Sequence, residues 1–180
     1  MRRVRSIFGS LGTSGSAAVE FALVTPIYLL LTFSISEIGM ASFADLVLQN
    51  AVQASGRLIR TGQAQAQGMS QSQFRADVCA RISFIMNCDA GNLLIDIRSF
   101  TNFGGANLPA PIDEGGNVNP NLNAFQIGSS SLASGQNPIV VVRVFYKWPL
   151  HSPGFSEVFS NAGNDTRLIS SSLAFRNEPY

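Results

Sequence analysis

Residues 15–36 read GSAAVEFALVTPIYLLLTFSIS, and this stretch decides what kind of molecule follows. From Phe21 to Ser36, sixteen consecutive residues carry no formal charge. Taken back to Ala17 the run has twenty residues, interrupted only by Glu20. A helix rises about 1.5 Å per residue, so twenty residues reach roughly 30 Å, the thickness of a bilayer's hydrocarbon core. Ala17 to Ser36 is therefore the expected transmembrane segment. Pro26 lies inside it, costly in a soluble helix but accommodated in a membrane helix with a kink. Thr25, Thr32, Ser34 and Ser36 carry hydroxyls that can return to carbonyls of the preceding turn.

The rest of the composition agrees with an anchored protein. Only 13% of the 180 residues are charged, and mean hydropathy is +0.18. The net charge of +1 gives no field that would point to nucleic acid. Its distribution is uneven. Arg2, Arg3 and Arg5 precede the first acid, Glu20. Setting these three aside from the twelve basic residues leaves nine against eleven acids. Basic residues before a span stay on the cytoplasmic side, which sends the C-terminal part across the membrane. In a bacterium that compartment permits disulfides. A cleaved signal peptide would need a short apolar core followed by a small-x-small site. The run here is long, holds an acid near its start and continues as a helical pattern.

Glu20 is the anomaly. A carboxylate in a bilayer is costly, about 2.5–3.5 kcal/mol at the centre, and asks for a partner. At a helix end it can instead snorkel to the headgroup boundary. Its frame is Gly15-Ser16-Ala17-Ala18-Val19-Glu20-Phe21. That frame resembles the processing site of type IV pilin-like precursors, with Glu-Phe as in the Flp/Tad branch. The longer string GSAAVEFALVTPIYLLLTFSISEIGMASFADLVLQNAVQASGRL resembles the TadE-like family. Small residues, Glu-Phe, the proline and the later Glu-x-Gly at Glu37-Ile38-Gly39 fall in order.

The resemblance implies a prepilin-type leader over 1–15, cut by a prepilin peptidase after Gly15 to leave Ser16 as the new N-terminus. Gly15, Ser16, Glu20 and Phe21 form the implied processing site. It further implies a structural role as a minor pilin or pseudopilin, not catalysis. The implied partners are the lipid bilayer, the peptidase, other pseudopilins and pilus platform proteins, with homo- or hetero-oligomers formed through the N-terminal helix. The implied location is the bacterial inner membrane, single-pass, N-terminus cytoplasmic and C-terminal domain periplasmic, with incorporation in an extracellular pilus open to it. A different class of reading keeps the chain uncleaved, as a membrane-anchored periplasmic binding module.

Beyond the span the helical pattern continues. Ile38, Phe43, Leu46, Val47, Ala51, Ala54 and Leu58 recur at spacings near three and four, predicting one packed face on a single helix over 16–60. The sequence TGQAQAQGMS (61–70) then breaks the pattern. Ser70 with Gln73 makes a capping box, and Phe74, Val78, Ile82 and Ile85 mark a second helix over about 71–84. Cys79 and Cys88 would lie about 13 Å apart along one continuous helix, too far for the roughly 7 Å between Cα atoms that a disulfide allows. They pair if the helix ends between them, with Asn87 as a stop; otherwise they are two small apolar core residues.

Three alternating stretches predict strands: NLLIDIRSF (92–100), PIVVVRVFYKW (138–148) and RLISSSLAF (167–175). Val140, Val142, Val144 and Tyr146 share one face, and Arg143 opens the other. The pattern suits a sheet with one buried face. Residues 101–137 read as a long loop hiding a short strand near 123–127, and 149–165 as a second loop. The expected whole is α+β: a long N-terminal transmembrane helix runs into a small globular domain over 61–180. There a second helix packs on a mainly antiparallel sheet of three to four strands.

Other chemistry is weakly represented. GTSGS (12–16) follows no strand and cradles no phosphate. Asp113, Glu114, Asn117 and Asn119 miss the EF-hand spacing and read as a solvated loop. Asn164 in NDT reads as a turn rather than a glycosylation site. One histidine, His151, and two cysteines are too few for a zinc site. No catalytic residue, cofactor or metal ligand is expected.

Overall fold

The structure, a computed structural model, describes residues 13–89, 91–128, 138–152, 156–163 and 165–178. Arg2, Arg3 and Arg5, residues 1–12 of the expected leader, and Asn164 lie outside the described residues. The chain is α+β. Helix α1 spans Thr13–Arg60, α2 Gln63–Ala66 and α3 Gln71–Ile82. Strand β1 covers Leu93–Phe100, β2 Ile139–Pro149 and β3 Thr166–Arg176, with the short helix α4, Ser156–Phe159, between the last two. All three strands pair antiparallel in the order β1-β2-β3.

Local chemistry accounts for the element ends. Helix α1 closes with Arg57 and Arg60 in its last turn, where cations meet the negative end of the helix dipole. Gly62 follows at φ 77°, a left-handed conformation that glycine adopts without a Cβ penalty. The break at 61–70 is not wholly irregular, because it includes the single turn of α2. Ser70 caps α3 as its residues predict: its side chain accepts the Gln73 N–H, and the Gln73 side chain accepts the Ser70 N–H. Helix α3 ends at Ile82, five residues before Asn87, and Ser83 closes it through its N–H to the Cys79 carbonyl.

The core lies between one face of the sheet and the two helices. Leu93, Ile95 and Ile97 of β1 and Val140, Val142, Val144 and Tyr146 of β2 meet Phe74, Val78 and Ile82 of α3. Burying a side chain the size of Phe74 contributes about 1.5–3 kcal/mol.

The buried face of α1 keeps Val47, Ala51 and Leu58 of the predicted stripe but turns away from Ile38, Phe43 and Leu46. Ala41, Ala44, Leu48, Ala51, Val52 and Ile59 face the core. Ile38, Phe43 and Leu46 stay 38%, 49% and 57% exposed. At Gly56 a Cβ would meet Leu173 Cδ1 of β3 at 2.8 Å, so there the helix approaches the sheet on a residue without a side chain, while Leu48, Val52 and Ile59 fill the core.

The second sheet face is not open either. Eight of the eleven residues of β2 are buried, in an unbroken run from Ile139 to Tyr146. Leu122, Phe145, Ala162 and Leu168 form a second cluster there, covered by Leu94, Ile112 and Val118. The loop after β1 supplies much of this cover. Its expected strand is reduced to one parallel bridge, Ile97 to Phe125. In it Ile97 N–H donates to Ala124 O, and Gln126 N–H to Ile97 O, each at 2.8 Å.

Candidate functional site

Residues 15–60 of α1 are long and apolar enough to cross a membrane. Its first half stands clear of the head: Val19, Phe21, Leu23, Val24, Ile27, Tyr28 and Leu31 are all exposed. In water such a surface would be costly; in lipid it is the matching solvent. The polar side chains within it are satisfied locally. Thr25 donates to Phe21 O at 2.6 Å, Thr32 to Tyr28 O at 2.8 Å and Ser36 to Thr32 O at 2.9 Å. Pro26 stays inside the helix without ending it.

At the head of the span, Gly15 lies in the first turns of α1, and a Cβ on it would meet nothing within 4 Å. The helix runs unbroken through the Gly15–Ser16 bond. Ser16 Oγ donates to Glu20 Oε1 at 3.2 Å, and Phe21 projects outward, 72% exposed. The structure thus sets Gly15, Ser16, Glu20 and Phe21 along one accessible helix end.

At the foot of the span, Glu37 of Glu-x-Gly makes a contact far away in the chain. Its carboxylate accepts the backbone N–H groups of His151 and Ser152, the latter at 3.1 Å. Its side chain is only 11% exposed, and His151 Nδ1 stands 3.8 Å away. Burial alone would raise the Glu37 carboxyl. The Ser152 hydroxyl, the two N–H donors and the neighbouring His151 outweigh it, and hold Glu37 below the ordinary carboxylate value. The acid of Glu-x-Gly therefore ties the exit of the span to the loop after β2. An acid directly behind an apolar run was the one available signal.

A cavity of about 280 Å³ adjoins this tie, between Glu37, Asp45, Leu150, Arg167 and Leu168. Among the described residues no group of three or more His, Cys, Asp or Glu side chains is placed to hold a metal ion. Asp113, Asn117 and Asn119 make a local turn instead: Asp113 Oδ1 accepts the Asn117 N–H at 2.8 Å, beside a bridge from Ile112 to Val118.

Two further devices hold the head. Cys79 and Cys88 are joined as a disulfide with Cα atoms 5.8 Å apart, because α3 ends between them and the chain turns back. Next to it the Asn87 N–H donates to the Tyr146 hydroxyl at 3.0 Å. Burial, assisted by the charge of Asp89, raises the Tyr146 phenol above its usual value despite that bond. On the far sheet face Asp96 is fully buried between Arg143 and Arg98. Arg143 also donates to Pro109 O at 2.8 Å, and Asp96 accepts the Ala124 N–H at 3.2 Å. Arg143, which its strand pattern turns toward solvent, is thus the clamp between sheet and loop.

Comparison with known proteins bears on the helix alone. No curated protein and no solved structure matches the chain. The family described as TadE-like protein matches residues 15–57, from the start of the span through Glu20, Pro26 and Glu37 to the last turn of α1. A single apolar N-terminal helix of this kind fits a single-pass membrane protein, and over residues 15–57 the chain is similar to the TadE-like family.

Proposed function

We propose that the chain is a minor pilin or pseudopilin of a Flp/Tad pilus, anchored in the inner membrane with its head in the periplasm. One observation carries the reading: an acid five residues beyond Gly15, on an exposed apolar helix inside a TadE-like region. A prepilin peptidase cuts between Gly15 and Ser16. Glycine is a poor helix former and sits within the first turns of α1, so the helix opens there at little cost. Cleavage uncovers the Ser16 α-amine, whose reference pKa of about 7.7–8.0 leaves it largely cationic at neutral pH. That amine lies about one helical turn from Glu20, whose carboxylate the Ser16 hydroxyl already reaches. When helices stack, each Glu20 neutralises a neighbour's amine. Register is enforced because either charge left alone in lipid is expensive. The role is structural, and its partners are other pseudopilins and the assembly platform.

Intact mass and N-terminal sequencing of the protein from cells with and without the peptidase test this reading. The expected product begins at Ser16 only when the peptidase is present, and Gly15→Leu blocks it. A chain that keeps Met1 in peptidase-bearing cells overturns the proposal and leaves an uncleaved anchor carrying a binding module. Glu20→Gln is expected to impair incorporation into fibres; unaltered maturation and fibre growth would remove the electrostatic basis of the reading.

A further inference from the structure

The head reaches down onto the span. Ser34, inside the expected membrane segment, is only 4% exposed. The Glu37 contact with His151 and Ser152 places the loop after β2 at the level of the span's last turn. Beside it runs a groove of about 390 Å³ lined by Phe33, Glu37, Met40, Trp148, His151 and Ser152. Phe33 belongs to the span and is 61% exposed, so the groove is continuous with the surface that faces lipid. Trp148, at the membrane-side end of β2, is half-buried. Arg167 pairs directly across from it on β3 and is exposed.

An indole beside an apolar groove, with a guanidinium at the same level, is the chemistry of a bilayer interface. Tryptophan is enriched there because one part of its ring is apolar and the other hydrogen-bonds. Arginine there meets lipid phosphate. From Ala17 to Phe33 the helix rises about 24 Å, which brings Phe33 within about one turn of the edge of a hydrocarbon core of roughly 30 Å.

We propose that this end of the head is a lipid-contact surface. The groove between Phe33, Met40 and Trp148 takes the upper part of a phospholipid acyl chain from the leaflet on the head's side, with Arg167 at phosphate level. The head is then seated on the bilayer, not held away from it on a free stalk. This inference rests on the reading of Ala17–Ser36 as a membrane span.

Trp148 is the only tryptophan in the chain, so the full-length protein reports on the site without labelling. It is reconstituted at one copy per nanodisc, in phospholipids brominated either close to the glycerol or near the chain ends. The expected result is loss of Trp148 emission, greater with the shallow bromines than with the deep ones. A control carries Tyr28→Trp, in mid-span, with Trp148→Phe; its emission should be lost most with the deep bromines. If the control is quenched and Trp148 is not, the lipid surface is overturned and the span stands. If Trp148 emission instead shifts only when several copies share a disc, a second chain occupies the groove and the proposal fails. If neither tryptophan is quenched, the span reading fails and takes the proposal with it.

Discussion

Glu37 and Ser152, 115 positions apart in the chain, meet at the exit of the apolar helix, where the Glu37 carboxylate accepts the Ser152 N–H at 3.1 Å. This contact and its companion at His151 couple the anchor to the sheet at its membrane-side end. Elsewhere the helix meets the head through its buried apolar face, a hydrogen bond from Ser55 Oγ to Asp77 Oδ2 at 2.6 Å and, near its far end, an exposed pair between Arg60 and Glu178.

The Glu37 tie should weaken with acid. Its folded pKa lies below the ordinary carboxyl value of 4.5. Its stabilisation is therefore complete above that value and is lost as pH falls through the lower, folded one. Glu37→Gln is expected to cost roughly 1.5–3 kcal/mol at neutral pH, as for hydrogen bonds to a charged group. Thermal unfolding of the full chain in detergent, followed against pH, should show the gap between wild type and variant closing below that range. A gap that stays constant into acid would exclude an ionised Glu37 as the cause. At neutral pH the His151 and Ser152 amides should exchange hydrogen faster in the variant.

The pair of Asp96 and Arg143 should be far more sensitive to a single change than to a double one. Asp96 is fully buried and Arg143 nearly so. Removing one partner leaves an uncompensated charge, so Asp96→Ala is expected to cost about 3–5 kcal/mol. Asp96→Leu combined with Arg143→Met should cost much less, while Arg98 turns to solvent. Denaturant midpoints of the wild type and these two variants in one detergent decide this. Equal losses in the single and double variants would show that the charges matter less than the shape they fill.

The disulfide closes a short loop, with Cys79 and Cys88 nine positions apart. The chain-entropy model gives about 2.5–3 kcal/mol for a loop of this length. Reduction with a thiol, or Cys79→Ser with Cys88→Ser, should lower stability by that amount and speed exchange at the Asn87 amide next to Tyr146. The span and the Ser16–Glu20 contact should not respond.

Gly56 lies where helix and sheet approach closely, with Leu173 Cδ1 2.8 Å from the place a Cβ would take. Alanine there gains roughly 1 kcal/mol of helix propensity. Its Cβ, however, meets the mobile end of Leu173, so the net change should be small. Gly56→Val adds bulk that Leu173 cannot yield to, and overpacking of this kind is expected to cost about 1–3 kcal/mol. Paired melting curves of the two variants test this. A valine as harmless as alanine would mean that helix and sheet separate freely at this point.

What the sequence determined by itself was local in origin. The span follows from a run of twenty residues and their transfer energies. The capping box at Ser70 and the three strands follow from spacings of three, four and two, which act within a few residues of chain. Tertiary structure alone decided which contacts join residues far apart. Periodicity placed Ile38, Phe43 and Leu46 on the packed side of α1, but the sheet and α3 cover the helix on Ala44, Leu48, Ala51, Val52 and Ile59 instead. Strand alternation placed Arg143 outward, but the loop through Pro109 and Ala124 folded over it and Asp96. Glu37 has its partners only because β2 brings His151 and Ser152 to it. A buried charge is tolerated only where its partners arrive, and those partners stand dozens of positions away, where no local pattern reaches.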